Sequence, residues 1–544
     1  MQKKRPAVVK SRNERKVARD RSSKAAAKKP AGKRGAKPGA DARPAAAAAT
    51  GVLVVNMIPK SLSTEENQDS EPMIAVNPAD RDYIVGTAFT PDPFGSGLAP
   101  YFVSTDGGAT WRLNAVVPGG NQTGDITVAF SGAGRKLYAG ILRLDSPTTD
   151  TRMSILRCDD FAAPTPMTVL ADRQQPDQPF TQAAVQGGGV DAGKENFYVG
   201  NNDFANMPQT ATIDIGLDAG SATPAINSVR LERRANAGQN GPQVRPSVHS
   251  DGTVYAAFYG WRSQAGDWPS NTLRVTADAV VVRDDSWGRG PQPFEALTDP
   301  ADGVVGRRVA QNLGFAFNQT GLPENGQQRL GGALSIAVDP RPTMSSTVYL
   351  AWGADDSDSN FAVDVRVSRD RGVTWSPSSL LPLSRATNAA LAVNSNGIVG
   401  LLYQQLVGSG VGMRWETHFR RSSDTTTWSD LVVASAPAGG PAKDFDPYLG
   451  DYCHVLAVGE DFYGVFSSAN TPDPANFPNG VTYQRNADFT TRKLFGLDGT
   501  TQVRASIDPF FFKITGSAGS ADLPSRKRGA DLPEPRHRGQ RRPR

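Results

Sequence analysis

Only two cysteines occur in 544 residues, Cys158 and Cys453, and neither has a partner at CxxC spacing. That excludes a disulfide framework and a thiolate zinc site as organising elements, so both read as buried thiols. Histidine is nearly as scarce, with 4 residues, and His249 and His454 read as satisfied structural histidines. No continuous apolar run approaches the ~18 residues a spanning helix needs, so no such helix is expected. Helical periodicity is missing too, since no window keeps a 3.6-residue apolar spacing for three turns. The first 50 residues contain no aromatic side chain. Such a stretch cannot bury enough surface to offset its ordering entropy, and residues 1–50 and 516–544 are expected to be disordered arms. The basic start is not followed by the apolar stretch of about 7–15 residues that a secretory signal requires. The default compartment is then the cytosol, with non-classical export left open.

Charge is unevenly placed. Residues 1–44 carry 16 Lys/Arg against 3 Asp/Glu, and residues 525–544 carry 8 against 2. Taking those +13 and +6 from the overall +5 leaves −14 for the body, so an acidic body lies between two basic arms. Arms of this kind suit tethering to nucleic acid or an anionic surface, or serve as a solubilising extension.

What is present is a repeat. Between about residues 70 and 490, a short apolar strand, a Gly/Asn/Asp turn and a second strand recur, followed by a polar hairpin. The second strands read TyrIleValGlyThrAlaPhe (83–89), LeuTyrAlaGlyIleLeu (137–142), PheTyrValGly (197–200), ValTyrAlaAlaPheTyr (254–259), ValTyrLeuAlaTrp (348–352), IleValGlyLeuLeuTyr (398–403) and PheTyrGlyValPhe (462–466). Seven copies at this spacing predict an all-β, seven-bladed β-propeller over residues 51–515, or six blades if one copy is false. Residues 284–330, rich in Gly, Asn and Gln, are expected to form a long loop insertion. Residues 52–56 or 505–514 are expected to complete a blade by closing the ring, which removes the exposed sheet edges.

Two hairpins share the form S-x-D-x-G-x-T-W: Ser104-Thr-Asp106-Gly-Gly108-Ala-Thr110-Trp111 and Ser368-Arg-Asp370-Arg-Gly372-Val-Thr374-Trp375. A shorter copy runs from Ser423 and Asp424 to Thr427 and Trp428. In such a turn Asp accepts backbone N–H bonds, Gly supplies the left-handed position and Trp covers the hairpin. On these motifs the sequence resembles the BNR/Asp-box propeller superfamily, which includes sialidases, other glycoside hydrolases and non-catalytic members. The resemblance implies that the three aspartates are structural and that a ligand binds at the axis. It also implies a substrate-binding arginine in an F/Y-R-I-P motif, but Ser70-Glu71-Pro72-Met73 stands there instead. A glutamate at that place would repel a sialate carboxylate.

Glu71-Pro72, Asp177-Gln-Pro179, Arg245-Pro246 and Asp446-Pro447 each read as the opening of an innermost strand, where proline's missing N–H does no harm. From this pattern a mixed ring of Glu71, Asp125, Asp177, Arg245, Asp446 and Asp451 is expected near the axis. The segment Asp444-Phe-Asp446-Pro-Tyr448-Leu-Gly-Asp451-Tyr452 is the densest in carboxylates and tyrosines. It suits a glycosidase acid/base pair, Ca²⁺ held by hard oxygens, or simply an Asp-rich turn. No cofactor is otherwise expected. The leading function is carbohydrate recognition at the axial pocket, extending to glycoside hydrolysis. Asp446 or Asp451 would then be acid/base, Tyr448 nucleophile or transition-state stabiliser, Arg245 the substrate clamp, and Glu71, Asp125 and Asp177 substrate contacts. The alternative is a non-catalytic scaffold that binds a protein while its arms tether to a polyanion. A monomer is expected in either case.

Overall fold

The computed structural model describes residues 51–516, apart from 90–99, 116–121, 133–135, 145–150, 163–166, 207, 268–269, 271, 318–331, 356–359 and 443–447. Both basic arms lie outside the described residues.

Seven sheets follow one another around the ring, six of them antiparallel and built in chain order from an inner to an outer strand, the seventh completed by strands from both ends of the described chain. Their innermost strands are Ser70–Val76, Gln122–Phe130, Pro176–Val185, Arg245–Val248, Leu334–Val338, Ala386–Val393 and His454–Val458, which number blades 1 to 7. Each inner strand packs against the next, and the seventh packs against the first, so the ring is closed. The second strands are Ile84–Phe89, Leu137–Leu144, Glu195–Asp203, Val254–Ala265, Val348–Asp355, Val399–Val407 and Asp461–Ala469. All seven repeat copies are therefore real blades, and the count is seven rather than six. Because a blade is covered on both faces by its neighbours, these strands are buried at most positions instead of alternating; the first eight residues of Val254–Ala265 are all buried. Small residues in them make room for the neighbouring blade. A Cβ on Gly200 would collide with the Val244 carbonyl that leads into blade 4.

Closure uses both candidate segments at once. Val52–Asn56 pairs antiparallel with Ile507–Ile514, in register Val54 to Phe512, as outer strands of blade 7. Thr482–Tyr483 then adds in parallel to Val52–Asn56.

The expected loop over 284–330 needs correction. Arg307–Ala316 is the fourth strand of blade 4, paired along Arg274–Asp284. It is an outer edge strand, half-buried or exposed over most of its length, so its composition imitates a loop. The turn before it is also packed, with Phe294 and Leu297 buried. Residues 318–331 of the insertion lie outside the described residues.

The S-x-D-x-G-x-T-W hairpins join third to fourth strands in blades 1 and 5, at the end of the ring opposite the start of the inner strands. In blade 5, Asp370 accepts from the Thr374 N–H (2.8 Å) and hydroxyl (2.6 Å), Ser368 Oγ accepts from Gly372 N–H, and the Trp375 indole donates to the Gly372 carbonyl (3.1 Å). Blade 1 repeats every one of these bonds around Asp106. The blade 6 copy is displaced by one residue from its expected start, since Ser422 and not Ser423 bonds Asp424 and the Thr425 N–H. Asp370→Ala is expected to cost about 1–2 kcal/mol, the loss of a capping carboxylate and the exposure of its donors, measurable as a shift in the urea midpoint without a change in slope.

Candidate functional site at the ring axis

Four inner strands break register at the same level: between Ser70 and Met73, Thr123 and Ile126, Asp177 and Phe180, and Thr387 and Ala390. At three of these bulges the extra residue is a left-handed non-glycine, Glu71 (φ 54°), Gln178 (φ 52°) and Asn388 (φ 55°). A bulge leaves its extra residue out of the ladder and re-aims its side chain. Pro72 and Pro179 follow directly, placed where the broken ladder asks for no N–H donor.

All three re-aimed side chains reach the stretch Tyr448–Cys453, which leads into blade 7. The Asp451 N–H donates to Glu71 Oε1 (3.0 Å), Gln178 Nε2 donates to Asp451 Oδ2 (3.3 Å), and Asn388 Nδ2 donates to the Gly450 carbonyl (3.1 Å). The Tyr452 hydroxyl donates to Asp125 Oδ1 of blade 2 (3.0 Å), and the Cys453 thiol to the Asn388 carbonyl (2.7 Å). The approach is tight at Gly450 (φ 92°), where a Cβ would sit 2.5 Å from the Glu71 nitrogen. From blade 4, the Arg245 guanidinium lies 4.0 Å from the centre of the Phe180 ring and 5.3 Å from that of Tyr452. Five blades thus converge on one short length of chain.

Arg245 is only 5% exposed, and its Nε has no hydrogen-bond partner among the described residues. Burial draws its pKa down to about 10 against the opposing pull of Tyr452, Cys453, Asp125 and Asp451. The Tyr452 hydroxyl is held well above its ordinary value by burial, then by Asp125 and Glu71. His454 accepts from the Ile74 N–H through Nδ1 (3.4 Å), and burial, followed by the Arg245 charge, lowers its pKa to about 3. A neutral buried histidine contributes stability above the unfolded pKa near 6.5, and this is lost as pH falls toward the folded value. Between pH 6.5 and 4.5 the stability is expected to drop by up to about 1.4 kcal/mol per pH unit from this group, and His454→Gln is expected to flatten that slope in denaturant titrations.

The structure places Glu71, Asp125, Arg245 and Asp451 around the same short stretch of chain. Asp177 is half-buried and accepts its own neighbour's N–H, from Gln178 (2.8 Å); the residue that reaches Asp451 is Gln178. The signal for this is the residue immediately before proline: Glu71, Gln178 and Arg245 share that position. Tyr448 stands apart from the group. It is buried with Phe361, Leu406 and Trp415 between blades, and its hydroxyl is committed to the Gly440 carbonyl. Of the two tyrosines, Tyr452 is the one hydrogen-bonded to Asp125. Asp446 lies outside the described residues, and the inner strand of blade 7 begins at His454, not at Asp446-Pro447. Among the described residues no group of three or more His, Cys, Asp or Glu is arranged to hold a metal ion. No described helix is long and apolar enough to cross a membrane.

The cavity bordered by Gln178, Gln243, Arg245, Phe317, Asp451 and Tyr452 measures about 20 Å³, room for about one water molecule. A larger groove of about 480 Å³ runs between the outer parts of blades 4 and 5, past Leu313, Trp352, Arg366 and Leu383.

No known family profile matches the sequence, and no curated protein does. Solved structures with a similar fold include the α-L-arabinofuranosidase Arb93A of Fusarium graminearum, 10% identical, with a TM-score of 0.37, over 63% of this chain and 93% of that one. The sialidase of Trypanosoma rangeli is 13% identical, with a TM-score of 0.35, over 86% of this chain and 59% of its own. YCF48 bound to the D1 peptide is 12% identical, with a TM-score of 0.34, over 76% and 93% respectively. Likenesses at this level carry no functional information.

Proposed function

We propose that the axial site recognises a carbohydrate and hydrolyses a glycosidic bond, in the manner implied by the BNR/Asp-box resemblance. The observation that carries this reading is the Tyr452–Asp125 hydrogen bond beneath Arg245. A tyrosine hydroxyl becomes a nucleophile when an adjacent carboxylate takes its proton as the new bond forms, and tyrosine is the nucleophile of retaining sialidases. Asp125 occupies the base position, and Arg245 lends positive charge to the developing phenolate. Asp451, held by Gln178 and through its backbone by Glu71, is the remaining carboxylate for proton transfer to the leaving group. A panel of fluorogenic glycosides, including sialosides, tests the assignment. Tyr452→Phe and Asp125→Asn are each expected to lower kcat by about 10²–10⁴-fold with little change in KM. Turnover that survives both substitutions would remove the mechanism.

The small cavity favours a second reading, a non-catalytic propeller that binds a protein along a surface such as the blade 4–5 groove. Silence across the whole glycoside panel selects it.

A further inference from the structure

We infer that the two basic arms act as one clamp on duplex nucleic acid, rooted at a single point on the face opposite the axial site. The inference is independent of what the axial site binds.

Ring closure decides where the arms begin. Val52 pairs with Ile514 in the outer part of blade 7, and the Thr515 N–H donates to the Gly51 carbonyl (3.2 Å). The two arms therefore start from neighbouring residues. Ile514 also pairs with Phe462, just past the turn that joins Val458 to Asp461. That turn lies at the far end of the inner strand from His454, so both arms leave on the face that carries the S-x-D-x-G-x-T-W hairpins. The root itself is acidic. The Gly516 N–H donates to Asp461 Oδ1 (2.8 Å), and a Cβ on Gly516 would sit 2.4 Å from that of Glu460. Arg81 lies 3.5 Å from Asp461, with the exposed Asp80 and Asp82 on either side of it in the chain. Four carboxylates thus surround the exit, against the cations Arg81 and Lys513.

The arms carry the opposite charge, at a distance. Residues 1–44 hold 16 Lys/Arg against 3 Asp/Glu, and residues 525–544 hold 8 against 2. Residues 44–50 and 517–525, between those charges and the ring, include no lysine or arginine. Fully extended, these spacers reach about 25 and 30 Å, several times the ~8 Å screening length at physiological salt. A polyanion gripped by the arms is then beyond the field of the acidic root, while the root repels its approach to the ring. The axial site faces the other way and stays clear of it. The ligand class follows from what the arms contain. Lysine and arginine bind by neutralising phosphates and releasing counterions, and a DNA duplex offers one charge per ~1.7 Å of its axis. Neither arm has an aromatic side chain on which unpaired bases could stack, and neither has enough apolar residues to bury in a bilayer surface. Because the arms share one root, engagement of the first holds the second within reach, and the second contact becomes intramolecular.

Fluorescence anisotropy with a DNA duplex of about 30 base pairs tests the clamp. The full chain is compared with chains lacking residues 1–43, residues 525–544 or both, truncations that leave every described strand in place. The full chain is expected to bind about 10²-fold more tightly than either one-armed chain and with a steeper salt dependence, and the armless ring not to bind. Energy transfer tests the orientation. Cys158 and Cys453 are buried, so a maleimide dye reports a single introduced cysteine. Ala79→Cys, exposed beside the arm root, is expected to transfer more strongly to a dye-labelled duplex than Val411→Cys. Val411 is fully exposed at the tip of the blade 6 hairpin on the axial-site face. A full chain that binds no more tightly than a one-armed chain, or stronger transfer from Val411→Cys, would overturn the shared clamp. Tighter binding to a single strand of equal length, or to phosphatidylserine vesicles, than to the duplex would overturn the ligand.

Discussion

A chain lacking Val52–Ile58 is expected to lose the cooperative unfolding transition of the intact ring and to aggregate. That segment supplies an outer strand of blade 7, and its removal leaves Ile507–Ile514 with an open edge bearing three consecutive phenylalanines. It also withdraws Val52, Val54, Val55, Met57 and Ile58 from the core, all of them buried. Five such side chains correspond to about 8–15 kcal/mol of apolar burial, comparable to the whole stability of a typical domain. The free edge is a template for pairing with other copies. Calorimetry and light scattering check this, and a melting temperature within a few degrees of the parent would show that the ring does not depend on its N-terminal strand.

Arg485→Met is expected to destabilise the protein by about 3–5 kcal/mol, the range for removing one member of a buried ion pair. Arg485 is fully buried, bonds Asp508 at 3.0 Å, and donates to the Ser63 and Glu65 carbonyls. Asp508 also accepts from Asn56 and Asn470, each at 2.7 Å. One cation thus fastens the link between the closing strand and blade 1 to the outer strands of blade 7. Without it, Asp508 and Glu65 are left as buried carboxylates beside each other. The double variant Arg485→Met, Asp508→Leu removes the stranded charge along with its partner and is expected to recover much of the loss. Denaturant titration of the two variants decides between a stranded charge and a simple loss of packing, since packing alone predicts that the double variant is the worse of the two.

The blades were legible because their signals are local. The strand patterns, turn residues and S-x-D-x-G-x-T-W hairpins each span fewer than a dozen residues, and seven second strands read from sequence are seven second strands in the fold. The edge strand Arg307–Ala316 was not legible, because a strand with one free side loses the apolar pattern that marks its neighbours. The axial residues were legible in part. Glu71, Arg245 and Asp451 stand out as charges beside proline or in a tyrosine-rich turn. The choice between Tyr448 and Tyr452, and between Asp177 and Gln178, depends on which side chain a bulge turns inward.

The amino-acid sequence by itself determined the class of the fold and narrowed the blades to seven or six, since both rest on short-range backbone preferences and burial patterns. Only the tertiary structure decided the composition of the axial site. Glu71 and Asp451 are 380 positions apart and Tyr452 and Asp125 are 327 apart, and ring closure is what places each pair within hydrogen-bond reach.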